Sequence, residues 1–159
     1  MFEVAFIVPC MQAISLPSNN NSAILSSPNP MAILGPTLLL RPRQVPTEFS
    51  FSVVIGIRGL DLFRDTPPAL AWTLTSPEGE VVFQAPPVSL KMTSPPPHSP
   101  PLPPEEANAI VGANIQNVRL PVQGHYRLTV TIDGERVASQ EIPVRILPQE
   151  DSNHAAADS

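Results

Sequence analysis

The stretch GHYRLTVTIDGERVASQEIPVRIL, residues 124–147, decides the fold. In its first half, large apolar residues alternate with polar ones, which is the period of two of a half-buried β-strand. The apolar set is Tyr126, Leu128, Val130 and Ile132. Asp133-Gly134 follows, and this dipeptide favours a type I′ turn, which needs positive φ at both central residues. The return run carries Val137, Ile142, Val144 and Ile146. The stretch therefore predicts a β-hairpin.

Proline content sets the fold class of the rest of the chain. The 159 residues suit one domain with a proper core. Proline accounts for 22 of them, well above the usual share of about 5%. Because proline is excluded from helix interiors but tolerated at strand edges and in turns, we expect an all-β chain.

Further strands are predicted along the chain from the same alternation and from the turn residues between the runs. The longest has Phe49, Phe51, Val53, Ile55 and Ile57 on one face, and we place it in the middle of the core. The others are predicted at residues 2–8, 22–26, 31–40, 69–75, 80–84 and 117–120. Seven or eight short strands favour a single β-sandwich over residues 1–148. Residues 149–159 carry three acids and no large apolar residue, so we expect a disordered acidic tail.

Charge and apolar run lengths exclude two classes of partner. The net charge of −5, with 9 basic and 14 acidic residues spread along the chain, gives no basic face for nucleic acid. No run reaches the ~18 apolar residues that a membrane span needs. Cys10 is the only cysteine, so no intrachain disulfide can form, which fits a reducing, cytoplasmic compartment. Glu3 and Pro9 argue against a secretory signal at the start, although a degenerate targeting segment stays an alternative.

The residues that could carry chemistry form no recognisable catalytic, cofactor or metal site. His98, His125 and His154 are far apart and lack metal-site spacing. No serine lies in a Gly-x-Ser-x-Gly elbow. Asp61 with Asp65, or Glu78 with Glu80, could in principle form an acid/base pair, but both sets lie in predicted turns, where charge is simply solvated. Cys10 is expected to be a small buried hydrophobe. We therefore expect a protein that is not an enzyme and needs no cofactor.

Two segments are candidates for contact with a protein partner. The loop at residues 59–68 holds Leu60, Leu62 and Phe63, which either tuck under the sandwich edge or form a sticky tip. The proline-rich crossing at residues 85–104 contains Pro100, Pro101, Leu102 and Pro103. An extended polyproline helix can dock in an aromatic groove, but this run lacks the flanking Arg or Lys of SH3 ligands. A stiff spacer over the surface is the expected role.

Two resemblances add to this interpretation. Trp72 in the middle of a strand and Gly124-His-Tyr126 at the start of a late strand resemble the immunoglobulin fold, which has a core Trp and a tyrosine corner there. Its paired cysteines are missing. Most of the chain also resembles a group of uncharacterised bacterial proteins of unknown function. The motifs that carry this likeness are Ser76-Pro-Glu-Gly79, Pro121-Val-Gln-Gly124-His-Tyr126, Asp133-Gly134-Glu135 and Pro143-Val-Arg145-Ile146. This likeness implies a fold and no activity.

These observations predict a non-enzymatic, immunoglobulin-like β-sandwich that works as a protein-interaction or assembly module. The alternative is a carbohydrate-binding module or a hydrolase accessory domain, because β-sandwiches also bind sugars. A sugar platform needs exposed aromatic rings, and Phe63 is the candidate in the sequence. The identity of a partner and the oligomeric state do not follow from the pattern.

Shortening the proline-rich crossing tests whether it lies outside the core. Replacing residues 93–103 with a brief Gly-Ser link should change the free energy of unfolding by only about 1 kcal/mol, because loop-closure entropy varies slowly with length. Urea denaturation of the two forms measures the difference. Loss of cooperative unfolding in the shortened chain would show instead that the segment packs.

Overall fold

The computed structural model describes residues 3–15, 31–59, 66–90 and 108–147. These ranges contain nine β-strands and no helix. The strands are β1 (Glu3–Ser15), β2 (Met31–Pro36), β3 (Thr47–Arg58), β4 (Ala69–Thr75), β5 (Val81–Gln84), β6 (Val88–Ser89), β7 (Asn108–Leu120), β8 (Gly124–Ile132) and β9 (Glu135–Val144). The all-β prediction is confirmed. The expected count of seven or eight omitted β6, which has only two residues. The strand predicted at residues 22–26 and the tail at 149–159 lie outside the described residues.

The strands form two antiparallel sheets. The first has the order β2-β1-β3-β7, and the second has the order β5-β4-β8-β9, with β6 also paired to β4. The two sheets share one hydrophobic core, to which β3 and β7 contribute from one side and β4, β8 and β9 from the other. Its fully buried large side chains include Tyr126, Ile55, Ile57, Leu70, Leu74, Ile115 and Leu128. The arrangement is a two-layer sandwich without a disulfide, since Cys10 is free.

Strand β3 is an interior strand of its sheet and lies in the core, as its alternation predicted. It pairs with β1 on one side and β7 on the other. Residues 51–57 are all buried, so the strand is shielded on its outer face as well as towards the core. On that outer face the ring of Phe6 lies directly over Gly56, where a larger residue would collide with it. The Ser52 hydroxyl donates to Asn114 Oδ1 at 2.6 Å.

The β8–β9 hairpin has the predicted turn. Asp133 and Gly134 have φ values of 52° and 82°, so both central residues adopt the positive φ of a type I′ turn. The turn is also fastened to the start of β4: Asp133 Oδ1 accepts a bond from the Ala69 amide at 2.9 Å, and the Asp133 amide donates to the Ala69 carbonyl at 2.8 Å. Ile146 was expected in the return strand but lies beyond its end, exposed.

Two strands are longer than the sequence pattern predicted. Strand β1 was expected at residues 2–8 but continues to Ser15, because Pro9 still contributes its carbonyl, which accepts a bond from Thr37 at 2.9 Å. Strand β7 was expected at 117–120 but begins at Asn108. Its register against β3 shifts between Phe49 and Phe51, and Asn117 has a φ of 51°. A bulge of this kind puts the alternation before and after it out of phase.

Tyr126 forms the corner that the sequence suggested. Its side chain is fully buried, and its hydroxyl donates to the Val122 carbonyl at 2.7 Å. The same oxygen accepts a bond from the Val122 amide at 3.4 Å. The phenol therefore ties the turn before β8 to the core. Burial raises the pKa of Tyr126 above its usual value, and the bond with Val122 lowers it in part.

Replacing Trp72 tests the packing between the sheets. Trp72 is 7% exposed within the core, so Trp72→Ala should lower the free energy of unfolding by roughly 3–5 kcal/mol. Its indole Nε1 is buried and makes no hydrogen bond in the described part of the chain. Trp72→Phe should therefore cost much less than Trp72→Ala. Denaturant titration measures both values. Tryptophan emission like that of the free amino acid in the folded protein would contradict the assignment.

Replacing Tyr126 with Phe tests the corner bond. At neutral pH the variant should be less stable by about 1 kcal/mol, because the Val122 carbonyl loses its donor. A raised folded pKa stabilises the native state fully below the usual tyrosine pKa, and this stabilisation is lost as the pH rises through the folded pKa. The difference between wild type and Tyr126→Phe should thus shrink in strongly alkaline buffer. An unchanged difference there would contradict the raised pKa.

Candidate binding cleft

The interaction residues predicted from the sequence fall in two segments that lie outside the described residues. These are Leu60, Leu62 and Phe63 in the first segment and Pro100, Pro101, Leu102 and Pro103 in the second. Both hypotheses stay predictions. The described start of the proline-rich crossing does contact the sandwich: Val88 and Ser89 of β6 pair with β4, and the Leu90 amide donates to the Pro68 carbonyl at 2.8 Å.

Titratable groups in the described ranges are used for structure or are solvated. No cluster of three or more metal-ligating side chains occurs there. In the turn before β5, the Ser76 amide donates to the Glu80 carbonyl, and the Glu80 amide donates to the Ser76 hydroxyl. His125 Nδ1 lies 3.5 Å from Glu141 on the surface, and Arg127 lies 3.7 Å from the same carboxylate. None of these arrangements pairs a nucleophile with a base.

Cys10 and the exposed aromatics bear on the other sequence hypotheses. Cys10 is fully buried on the outer face of the first sheet, and burial raises the pKa of its thiol. It is therefore a packed thiol rather than a reactive thiolate. Of the aromatic residues in the described segments, only Phe6 is exposed, at 40%. A single ring is a poor platform for a sugar. No helix in the described residues is long and apolar enough to cross a membrane.

A short segment, residues 37–46, joins β2 to β3 and lies along the end of β9; we call it the arginine strap. Leu40 and Val144 form a parallel bridge. The Leu40 amide donates to the Pro143 carbonyl at 2.9 Å, and the Arg145 amide donates to the Leu40 carbonyl at 3.0 Å. One step on, the Leu147 amide donates to the Pro42 carbonyl at 3.0 Å. Main-chain bonds therefore hold the strap to the second sheet.

Side chains alternate between buried and exposed over residues 40–43 of the strap. Leu40 is 1% exposed and belongs to the core, and Pro42 is buried as well. Arg41 and Arg43 are exposed. The neighbouring chain follows the same rule, since Val144 is buried and Arg145 is exposed. Period-two alternation in adjacent extended segments places these three guanidinium-bearing residues on the solvent side.

None of the three arginines has an ion-pair partner in the described part of the chain. Glu48, the nearest acid to Arg43 in sequence, lies opposite Arg119 in the β3–β7 register. Glu141, the nearest acid to Arg145 in sequence, lies beside His125 and Arg127. Three of the 9 basic residues of an acidic protein thus lie close together without an ion pair to any described residue. The result is a local positive surface on a molecule of net charge −5.

An open cleft of about 530 Å³ separates the strap from the start of β3. Its lining residues are Arg41, Pro42, Arg43, Gln44, Thr47, Phe49 and Leu147. The lining combines guanidinium groups, a neutral amide, a hydroxyl and two apolar side chains, which is a set suited to binding an anion that also has an apolar part. The set holds no nucleophile, no general base and no metal ligands of the usual kind.

Sequence reasoning missed this cleft. Arg41-Pro-Arg43-Gln-Val-Pro46 was interpreted only as the end of the preceding strand. The sequence feature that could have indicated the cleft is the alternation over residues 40–43, which places Arg41 and Arg43 on the same side of an extended segment. The parallel bridge between Leu40 and Val144 could not be predicted, because no local sequence pattern indicates pairing between segments so far apart in the chain.

The sequence matches the model of a known family. The model of a family of unknown function, DUF6941, matches residues 21–145. The match covers most of the chain, so the chain belongs to this family. No characterised protein matches the sequence.

Proposed function

We propose that this member of DUF6941 is a non-enzymatic interaction module that holds a protein partner in the cleft beside the arginine strap. The observation that carries the proposal is the unpaired state of Arg41, Arg43 and Arg145 in the described structure, next to an open cleft. Arg58, Arg119 and Arg136 also make no ion pair with the described residues, but they do not line the cleft. Arg41, Arg43 and Arg145 are held on a bonded segment and left available.

The strand order supports a module of immunoglobulin type. Taking β4, β5, β8 and β9 as strands C, C′, F and G matches one sheet of that fold, and β1, β3 and β7 match strands A, B and E of the other. Among the described strands none corresponds to strand D, and β2 is an additional strand beside A. Trp72 then lies in strand C and Tyr126 at the start of strand F. The arginine strap lies at one end, beside the first residues of β3.

A protein is favoured over other classes of partner. Nucleic acid needs a basic face that spans several phosphates, whereas two arginines line the cleft of a chain of charge −5. Sugar binding needs more exposed rings than Phe6 provides in the described ranges. The lone buried Cys10 suits a reducing compartment, and we propose that the protein works in the cytoplasm.

Site-specific photocrosslinking tests the proposal. A photoreactive residue at position 44 in the cleft should give an adduct in cells that produce the protein. The same residue at position 81 serves as the control, because Val81 is 54% exposed on β5, away from the cleft. The adduct should appear only at position 44. No adduct, or equal adducts at both positions, would contradict the proposal.

Neutralising the strap separates binding from folding. Arg41→Gln with Arg43→Gln should leave the free energy of unfolding within about 0.5 kcal/mol of wild type, because both side chains are exposed and unpaired. The adduct at position 44 should nevertheless be lost. Chemical denaturation and the crosslinking yield measure the two effects. A large loss of stability would show that the arginines are needed for folding. An undiminished adduct would show that they do not contribute to binding in the cleft.

A further inference from the structure

We propose that the ligand of the cleft is an extended acidic peptide, with carboxylates two residues apart, that pairs with the free edge of the arginine strap. This inference rests on the proposed function and names the chemistry of the partner. Its basis is the match between three features of one site: an open main-chain edge, a pair of arginines at strand spacing, and an apolar wall.

The open edge follows from the bonds of the strap. In an extended chain, the N–H and C=O of one residue point to one side and those of the next residue to the other. Both groups of Leu40 bond to β9 and the segment that follows it, and the Pro42 carbonyl does the same. The N–H and C=O of Arg41 therefore point away from β9. They make no hydrogen bond in the described structure, so a peptide can add there as a strand.

The arginines supply selectivity for acidic side chains. Residues two apart on an extended chain lie about 7 Å from one another on one face, and this is also the spacing of alternate side chains on a bound extended peptide. A planar guanidinium binds a carboxylate through two parallel hydrogen bonds. Arg41 and Arg43 therefore match acids at alternate positions, and Arg145 on the adjacent segment adds positive charge.

The apolar wall of the cleft selects a further residue of the ligand. Phe49 is half-buried, and Leu147, whose amide bonds to Pro42 of the strap, is 37% exposed; both side chains line the cleft. A leucine or similar side chain next to the acids would cover this surface. Gln44 and Thr47 supply neutral hydrogen-bonding groups at the rim. The preferred ligand therefore combines acids with a large apolar residue.

Fluorescence polarisation tests the inference directly. The probe is a labelled peptide with glutamates two residues apart followed by a leucine, and the matched peptide has glutamines in place of the glutamates. The full-length protein should bind the acidic probe, less tightly as salt rises. Arg41→Gln with Arg43→Gln should weaken binding about tenfold or more. Arg136→Gln should bind like wild type, because Arg136 lies at the turn end of β9, at the opposite end of that strand from the strap, and bonds to Ser139.

Several outcomes would overturn the inference. They are no binding of the acidic probe, equal binding of the glutamine peptide, or unchanged binding by the strap variant. A probe with phosphoserines in place of the glutamates forms a further arm, and stronger binding of that probe would replace carboxylate by phosphate as the recognised anion. A position-44 adduct without acidic-peptide binding would refute this ligand alone, whereas the absence of the adduct would refute the proposed function itself.

Discussion

Burial of β3 between two neighbouring strands and against the opposite sheet is the constraint on which the rest of the structure depends. Seven consecutive residues of this strand are buried, so neither of its faces is open to water. Its inner face packs with β4, β8 and β9 into one core. A sheet face is stable only when it is covered by another layer. The second sheet supplies that layer, with Trp72 and Tyr126 as its largest core side chains.

The arginine strap inherits its position from this core. Leu40 and Val144 are both core residues, and the strap crosses the end of the sandwich because burying Leu40 brings it beside Val144. Because side chains alternate along an extended segment, burial of Leu40 places the next side chain, Arg41, on the solvent side. The main chain of the site is thus ordered before any ligand arrives, which lowers the entropic cost of binding. The arginine side chains themselves remain free to adapt, as exposed and unpaired groups do.

Local patterns predicted the parts of this fold that depend on neighbours in sequence. The Asp133-Gly134 hairpin, the interior β3 and the tryptophan-bearing β4 all follow from alternation and turn residues, and all are observed. The bulge at Asn117 concealed most of β7 because it reverses the phase of the alternation. The cleft depends on a non-local parallel bridge, which leaves no periodic trace. From the sequence, the segment with Arg41 and Arg43 was interpreted as the end of a strand. In the structure these arginines line a cleft together with Phe49 and Leu147.

Amide hydrogen exchange measures the central claim, that a rigid sandwich holds a strap with one bonded edge and one open edge. In the free protein the amides of Leu40, Arg145 and Leu147 should be protected, because each donates to a main-chain carbonyl. The Arg41 amide should exchange quickly, since it has no acceptor in the described structure. Amides in the middle of β3 and β8 should exchange most slowly, through global unfolding. Strong protection of Arg41 in the free protein would show that the edge is already occupied and would contradict the account.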